Sequence, residues 1–419
     1  MQTIFYGAGE FARKNYTKWV EAGETPVCFV DVDVAKHNTK FASADGATDL
    51  NILSLDEAII HYPDYVIYIA LAPNNMMDVT EYLLEQGIVE DRIKYPVEYE
   101  RRRGCSWLGG APTAFLAYTG DRICTCCYVE RDFLMRTESI EQDIINAHKF
   151  IDERIDDLRH NRPNPCEECP NLIEGIFLKS PRIDRIGINS YLDKTVCNFK
   201  CIYCGVEDAF HKTKDGLESP LELVKKIHKA VVNAESPIAV SLSAGELTVS
   251  PWCDEVLEFI ENKKWYKTSL NSNGYVYKEK ITELIQKEII SAIVVSLDAG
   301  TRETFAKIKG VDGWDRVISN LEKYAIFPDV LQLKYIMLRG VNDNREDILG
   351  FIDVCKRLNT HARLSRDFLA ERKLSESEMD SCLLFIREAK RVGVRVLLLS
   401  DFIYNKSDRK VLEQALRSE

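Results

Sequence analysis

No apolar run in this sequence approaches the roughly 18 residues that a membrane-spanning helix requires. The chain opens on a strand-like segment, Thr3-Ile-Phe-Tyr6, where a secretion signal would carry a basic and then apolar stretch, so the expected location is the cytoplasm. A long basic run is also missing: 55 Lys and Arg stand against 66 Asp and Glu, a formal net charge of −11. Sequence-independent binding of nucleic acid needs clustered cations, so this balance argues against it, while leaving a tightly folded RNA open as a substrate. Short-period repeats and low-complexity segments are absent, and nothing at the N-terminus looks like a peptide-recognition module. What is there is a globular composition, 45% hydrophobic and 29% charged, in a chain of 419 residues, enough for two or three domains with cores of their own.

Cysteine is plentiful, thirteen in all. In a reducing compartment these thiols are not expected to form a disulfide framework. Cys28, Cys253, Cys355 and Cys382 stand among apolar or helical neighbours and read as buried small hydrophobes, as does one left over from the clustered set. The most informative stretch is Cys197-Asn-Phe-Lys-Cys201-Ile-Tyr-Cys204, a C-x3-C-x2-C spacing behind the strand-like run Arg185 to Tyr191. With no His or fourth Cys beside them, three thiolates suit a [4Fe–4S] cubane in which one iron is left open for a small molecule. Zinc is the alternative, but a structural zinc takes four closed ligands, usually as two separated pairs.

The triplet, with Tyr203 just before its last Cys, resembles the signature of the radical SAM superfamily. That resemblance implies that S-adenosylmethionine (SAM) chelates the open iron through its amino and carboxylate groups, with Tyr203 near the adenine. It extends downstream. Ile238-Ala-Val-Ser-Leu-Ser243-Ala244-Gly245-Glu246 is an apolar strand ending in a Gly-Glu turn, similar to the family's Gly-Gly-Glu motif with Ala244 in place of the first Gly. The backbone of Ser243 to Gly245 and the Glu246 carboxylate would hold the methionine amine. Thr268 to Gly274, containing Asn273, follows, and Ile293 to Gly300 resembles the fourth barrel strand, whose Ser296 and Asp298 would face SAM. Lys309 would serve the SAM carboxylate or sit on a solvated helix face; the sequence leaves both open. Gln332 to Leu338 and Gly340-Val-Asn-Asp343 also fit family positions. The resemblance implies reductive cleavage of SAM to a 5′-deoxyadenosyl radical that abstracts hydrogen from substrate, with an electron donor such as a flavodoxin or ferredoxin as partner.

The first hundred residues alternate strand, helix and strand: Thr3 to Tyr6, a helix to about Glu21, Pro26 to Asp31, and Asp64 to Leu71. Such alternation suggests a parallel doubly wound sheet. Its first turn, Gly7-Ala-Gly9-Glu-Phe-Ala12, is a form of the dinucleotide fingerprint, in which Gly7 permits the tight turn and Gly9 a close backbone approach. Asp31 or Asp33 falls where the fingerprint places its ribose-binding acid. A domain used only for docking satisfies the same pattern. The segment also resembles the nucleotide-sugar-binding domain of bacterial sugar acyltransferases, which implies a nucleotide or nucleotide-sugar as readily as NAD.

From Tyr99 the composition changes to Glu-Arg-Arg-Arg-Gly-Cys105, read as a charged linker. Cys105, Cys124, Cys126, Cys127, Cys166 and Cys169 then gather around one expected hairpin and one helix running to Asn161. The set resembles the auxiliary-cluster segments called SPASM or twitch, although those ordinarily follow the barrel. It implies a second [4Fe–4S] cluster on Cys105, Cys126 or Cys127, Cys166 and Cys169, with zinc as the alternative.

From Ile183 onward strands alternate with amphipathic helices expected at 221–233, 253–262, 280–287, 314–324, 346–358 and 376–392, with late strands at 363–364 and 394–400. Ser219-Pro220 and Ser250-Pro251 each place a capping hydroxyl before an N1 proline. The expected fold is α/β: a Rossmann-like domain over 1–100, a small cysteine-rich segment over 101–180, and a partial (β/α)6 barrel over 181–419 with its active residues at the strand C-terminal ends. The expected function is radical SAM chemistry on a small molecule, a nucleotide-linked sugar first. Peptide or protein side-chain modification and a noncatalytic iron–sulfur scaffold or sensor are the alternatives.

Overall fold

The structure is a computed structural model. It describes the chain except residues 45, 47, 106–107, 109–113, 120–121, 127–133, 168, 170–171, 191–196, 205–218, 233–238, 243–244, 264–266, 368–369, 371–372, 399–403 and 418–419. Cys127, Ser243 and Ala244, together with Tyr191 and the end of the last expected strand, therefore lie outside the described residues. The chain divides into two compact units, one made of Met1–Pro112, Arg154–Asn164 and Leu172–Pro181, the other of Thr113–Glu153, Pro165–Asn171 and Arg182–Glu419.

In the first unit β1 (Gln2–Tyr6), α1 (Glu10–Glu21), β2 (Pro26–Val30), β3 (Lys40–Phe41), β4 (Leu50–Leu53), α2 (Leu55–His61), β5 (Tyr65–Ile69), α3 (Pro73–Glu85) and β6 (Ile93–Lys94) build a six-stranded sheet in the order β3-β4-β2-β1-β5-β6. All its pairings are parallel except β3 with β4. Alternation along β1 explains the two layers. Phe5 points to an aromatic cluster with Trp19, Phe29, Phe41 and Tyr68, while Ile4 and Tyr6 point to the opposite cluster with Ile67, Met76 and Leu83. A strand buried on both faces has no polar side, which is why Tyr65-Val-Ile-Tyr-Ile69 reads as one apolar run. The stretch read as a charged linker is instead a strand, β7 (Tyr99–Gly104), whose partner appears seventy residues later in the chain order as β11 (Ile173–Leu178), antiparallel to it. Arg102 is buried, its guanidinium donating to the Leu108 and Leu178 carbonyls and lying 5.0 Å over the Phe177 ring. Burial lowers it to about 10 against the nearby Glu100. Arginine-rich composition signals solvent only when the partners are unknown.

The second unit holds β8 (Ala114–Thr119), β9 (Arg122–Cys124), β10 (Leu134–Met135) and α4 (Ile140–Arg159), whose last turn belongs to the first unit. Then follow β12 (Ile183–Ser190), α5 (Pro220–Val231), β13 (Ala239–Leu242), α6 (Cys253–Lys263), β14 (Thr268–Ser272), α7 (Glu279–Gln286), β15 (Ile290–Ser296), α8 (Arg302–Lys309), α9 (Trp314–Tyr324), β16 (Leu331–Met337), α10 (Arg345–Arg357), β17 (His361–Arg366), α11 (Glu376–Arg391), β18 (Val396–Leu398) and α12 (Lys406–Arg417). The sheet order is β10-β9-β8-β12-β13-β14-β15-β16-β17-β18, parallel from β8 through β18. This is the α/β architecture expected, with β12 to β17 as the six consecutive strands of the partial barrel.

The six expected helices start and stop within two residues of expectation, whereas α8 and α12 were not among them, and several of the helices have local caps. Ser219, Thr301, Asn344 and Ser375 each accept a backbone N–H of the first turn. Ser250 differs: it and Pro251 form a turn, and α6 begins only at Cys253. Cys28, Cys253, Cys355 and Cys382 are all buried, and so is Cys124. Register fixes two faces on the parallel strands. Leu333 and Tyr335 of β16 point to the helices, Tyr335 lying 4.7 Å from Phe351 and 5.3 Å from Phe385. Gln332 and Lys334 therefore lie on the opposite face, beside Val294 and Ser296 of β15 and beside His361 and Arg363 of β17.

Candidate functional site

The three-thiol loop lies between β12 and α5 and is held from three sides. The Lys200 and Ile202 N–H groups donate to the Lys309 and Ile308 carbonyls at 2.9 and 3.0 Å, so the end of α8 caps the loop. Gly310, at φ +68°, ends α8; a Cβ there would stand 2.9 Å from the Lys200 carbonyl oxygen. Only glycine allows both the left-handed turn and that approach. Phe199 packs edge-on against Tyr275 and Phe305 at 5.5 and 5.9 Å.

Behind the loop is a fully enclosed ion pair. Lys309 and Asp298 are both 0% exposed. The Lys309 ammonium donates to Asp298 Oδ2 at 2.5 Å and to the Tyr203 oxygen at 2.8 Å, and the Tyr203 hydroxyl donates to the same carboxylate. Asp298 Oδ1 accepts the Ile336 N–H at 2.7 Å, and its carbonyl accepts buried Asn342 at 2.7 Å. Burial, then the Asp298 charge, drives the Tyr203 phenol well above its ordinary range, so it remains a donor. The structure thus encloses Asp298 and Lys309 and bonds the half-buried Tyr203 to both. Lys309 is on no solvated helix face.

Glu246 is 1% exposed and sits after β13. Its Oε1 accepts Thr248 Oγ1 at 2.6 Å and Ser272 Oγ at 2.9 Å, and its Oε2 accepts the Asn273 N–H. Burial raises its pKa against those hydrogen bonds. Asn273 closes the circuit to the loop, its amide donating to Asn198 Oδ1 at 2.8 Å and standing 4.0 Å from Cys197 Sγ. Gly245 carries φ +54°, and Ser296 lies half-buried at the end of β15.

Unlike the buried barrel cysteines, Cys197 and Cys204 are exposed and Cys201 is half-buried. Burial pushes Cys201 up, and the neighbouring Cys204 and Cys197 push it further. Cys204 raises both Cys197 and Cys201, and thiols so gathered on one loop fit a cationic group that would hold them as thiolates. Among the described residues no three His, Cys, Asp or Glu side chains converge to hold a single metal ion. A zinc gathers its thiolates about 2.3 Å from one point, whereas a cubane gives each its own iron.

Residues 193–352 match the Radical SAM superfamily. The match places a radical SAM domain in this part of the chain. This family uses a [4Fe–4S] cluster with SAM, and Cys197, Cys201 and Cys204 are the residues that would hold the cluster. A probable GTP 3′,8-cyclase of Saccharolobus islandicus is 31% identical over 169 residues, 40% of this chain and 52% of that protein. A UPF0026 protein of Helicobacter pylori is 29% identical over 216 residues, 48% of this chain and 68% of that one. Streptococcus suis SuiB bound to precursor peptide SuiA aligns with TM-score 0.41 and 16% identity, covering 64% of this chain and 56% of that one. The chain spans about half the length of the cyclases it matches.

At the other expected sites, Gly7 has φ +109° and a Cβ there would meet Leu71 at 2.5 Å, so the turn requires glycine. Gly9 faces open space, room that a ligand approaching the backbone would use. Both Asp31 oxygens are engaged, Oδ2 by the Ala8 N–H and Lys36 Nζ at 2.9 Å each, and Oδ1 by the Asp33 N–H at 3.0 Å. Cys105 falls in the first unit, and Cys126, Cys166 and Cys169 in the second. Cys166 and Cys169 are joined by a 2.9 Å turn hydrogen bond, as Cys201 and Cys204 are by one of 3.0 Å.

Sequence reading missed the residues that fix the loop. Gly310 carries a legible signal, a glycine just after a helix. Thr248, Ser272 and Phe199 carry none, because polar and aromatic residues near strand ends are common and their partners are distant in sequence.

No helix among the described residues is long and apolar enough to cross a membrane.

Proposed function

We propose that the protein is a radical SAM enzyme that acts on a small molecule, a nucleotide or nucleotide-linked sugar first. The observation that carries this reading is the single circuit from the thiol loop through Asn273 to Glu246, which sets a carboxylate beside three exposed or half-exposed thiols. When bound, the cluster and SAM would supply reductive radical chemistry for hydrogen abstraction from substrate, with Cys197, Cys201 and Cys204 holding the iron. Glu246 and the Gly245 backbone would hold the methionine amine, Ser296 the ribose side, and Tyr203, Asp298 and Lys309 would keep the loop in place. The open space at Gly9 and the relative's name, a GTP cyclase, favour a nucleotide-type substrate.

Cys105, Cys126 or Cys127, Cys166 and Cys169 are assigned to a second cluster in this proposal, with zinc as the competing occupant. Anaerobic reduction with SAM tests the first part: 5′-deoxyadenosine released by wild type and lost in the Cys197→Ala, Cys201→Ala, Cys204→Ala variant supports the enzyme. Its absence from iron-loaded wild type would leave an iron–sulfur scaffold. Iron and zinc on the same samples test the second part. Two cubanes give about eight irons per chain and about four in the variant.

A further inference from the structure

We propose that the face of the parallel sheet opposite its helices binds the phosphate or pyrophosphate group of the substrate through Lys334, Arg363 and Arg185. The proposal deepens the reading of the protein as an enzyme of small molecules and rests on it.

Register brings the three cations to one face. Lys334 pairs with Arg363 across β16 and β17, and also with Ser296 across β15 and β16. Arg185 lies on β12 beside Ala239, with the buried Ile186 and Ile188 alternating to the other side. Between these strands the same face carries Ser241, Ser269, Asn271 and Gln332, uncharged groups throughout. No strand from β12 to β17 places a carboxylate on it beside the three cations.

Among the described residues no carboxylate forms an ion pair with any of the three. Arg363 Nε donates to Gln332 Oε1, which orients the guanidinium without neutralising it. Asp298, the carboxylate that acts on Lys334, already holds Lys309 and Tyr203. Burial lowers Lys334 despite the pull of Asp298, and burial together with Arg185 lowers Arg363. Lys334 and Arg363 are half-buried and repel each other, and the exposed Arg185 repels Arg363; such cations are costly unless an anion joins them. A carboxylate would engage one guanidinium fork; a phosphate ester offers more oxygens and up to two charges, enough for two forks and an ammonium. The position beside Ser296 places such a group at the same strand end as the thiol loop.

The test is calorimetric titration of inorganic pyrophosphate into the anaerobic, iron-loaded full chain. Binding that weakens with added salt is expected in wild type, about ten- to a hundredfold weaker in Lys334→Gln and in Arg363→Gln, and nearly retained in Lys334→Arg and Arg363→Lys. Thermal midpoints of the Gln variants should equal or exceed wild type, since no ion pair is lost, which separates lost binding from lost folding. Lys287→Gln, in an exposed pair with Glu261, should bind as wild type does. Equal pyrophosphate affinity in all variants overturns the proposal. Malonate binding as tightly as pyrophosphate overturns the phosphate assignment. A Lys334→Gln variant that binds SAM weakly but pyrophosphate normally gives that lysine to the SAM carboxylate and also overturns it. Pyrophosphate binding of the expected pattern without any 5′-deoxyadenosine release supports the anion site while the enzyme reading fails.

Discussion

Lys309→Met removes one charge from a pair that water does not reach. Asp298 keeps the Ile336 N–H and the Tyr203 hydroxyl but loses the one ion-pair partner it has among the described residues, at 2.5 Å. Breaking a buried pair by deleting one partner costs about 3–5 kcal/mol; with two donors left, about 3 kcal/mol is expected. The double variant with Asp298→Asn should lose less than the sum of the singles by about 2 kcal/mol, because asparagine leaves no stranded charge. Asparagine also tolerates the φ of +58° at this position. The effect should be local, since the Lys309 and Ile308 carbonyls receive the Lys200 and Ile202 amides. Hydrogen exchange by mass spectrometry over residues 198–204 reads it directly: about 3 kcal/mol is roughly a hundredfold faster exchange. Iron loading of the same variant should fall. Unchanged exchange in that peptide, with normal iron, would refute the reasoning that the enclosed pair fixes the thiol loop.

Three further outcomes follow from the same geometry. Gly310→Ala puts a Cβ 2.9 Å from the Lys200 carbonyl at φ +68°, and should cost at least about 1–2 kcal/mol in urea unfolding and reduce iron per chain, whereas Gly340→Ala, with nothing within 4 Å, should leave iron content intact. Asn273→Ala removes the link between Cys197, Asn198 and Glu246, and should weaken SAM binding about tenfold by equilibrium dialysis with little change in melting temperature. At Asp31 burial acts to raise the carboxyl, and hydrogen bonds from Asp33, Lys36 and Ala8 overcome it, leaving a pKa below 3.8. That stability is present above 3.8 and lost as pH falls through the folded value, so Asp31→Asn should lower stability by about 1 kcal/mol at neutral pH and flatten the acid loss followed by circular dichroism.

Much of the barrel was legible because its signals are local. Ser219, Asn344 and Ser375 cap expected helices from within the same four residues, and helix periodicity needs no distant partner; the helix that Thr301 caps was not expected. Tyr99 to Gly104 misled for the opposite reason. Three consecutive arginines describe a linker until Glu100, the Leu178 carbonyl and the Phe177 ring supply what buries Arg102. Ser250 misled through its proline, which fits a turn as well as it fits a helix start.

By itself the sequence determined that a three-thiol loop precedes a run of alternating strands and helices, since spacing and periodicity are properties of neighbours along the chain. It also supplied Glu246, Asn273 and Lys309 as polar residues at strand or helix ends. Only the tertiary structure decided which of them face a ligand and which face one another. Lys309 and Asp298 could each have been solvated, but the dielectric around them is set by residues far away in sequence, and enclosure turns two ordinary charges into a fastening for the loop. Lys334, Arg363 and Arg185 were unremarkable apart; strand register alone gathers them on one uncompensated face.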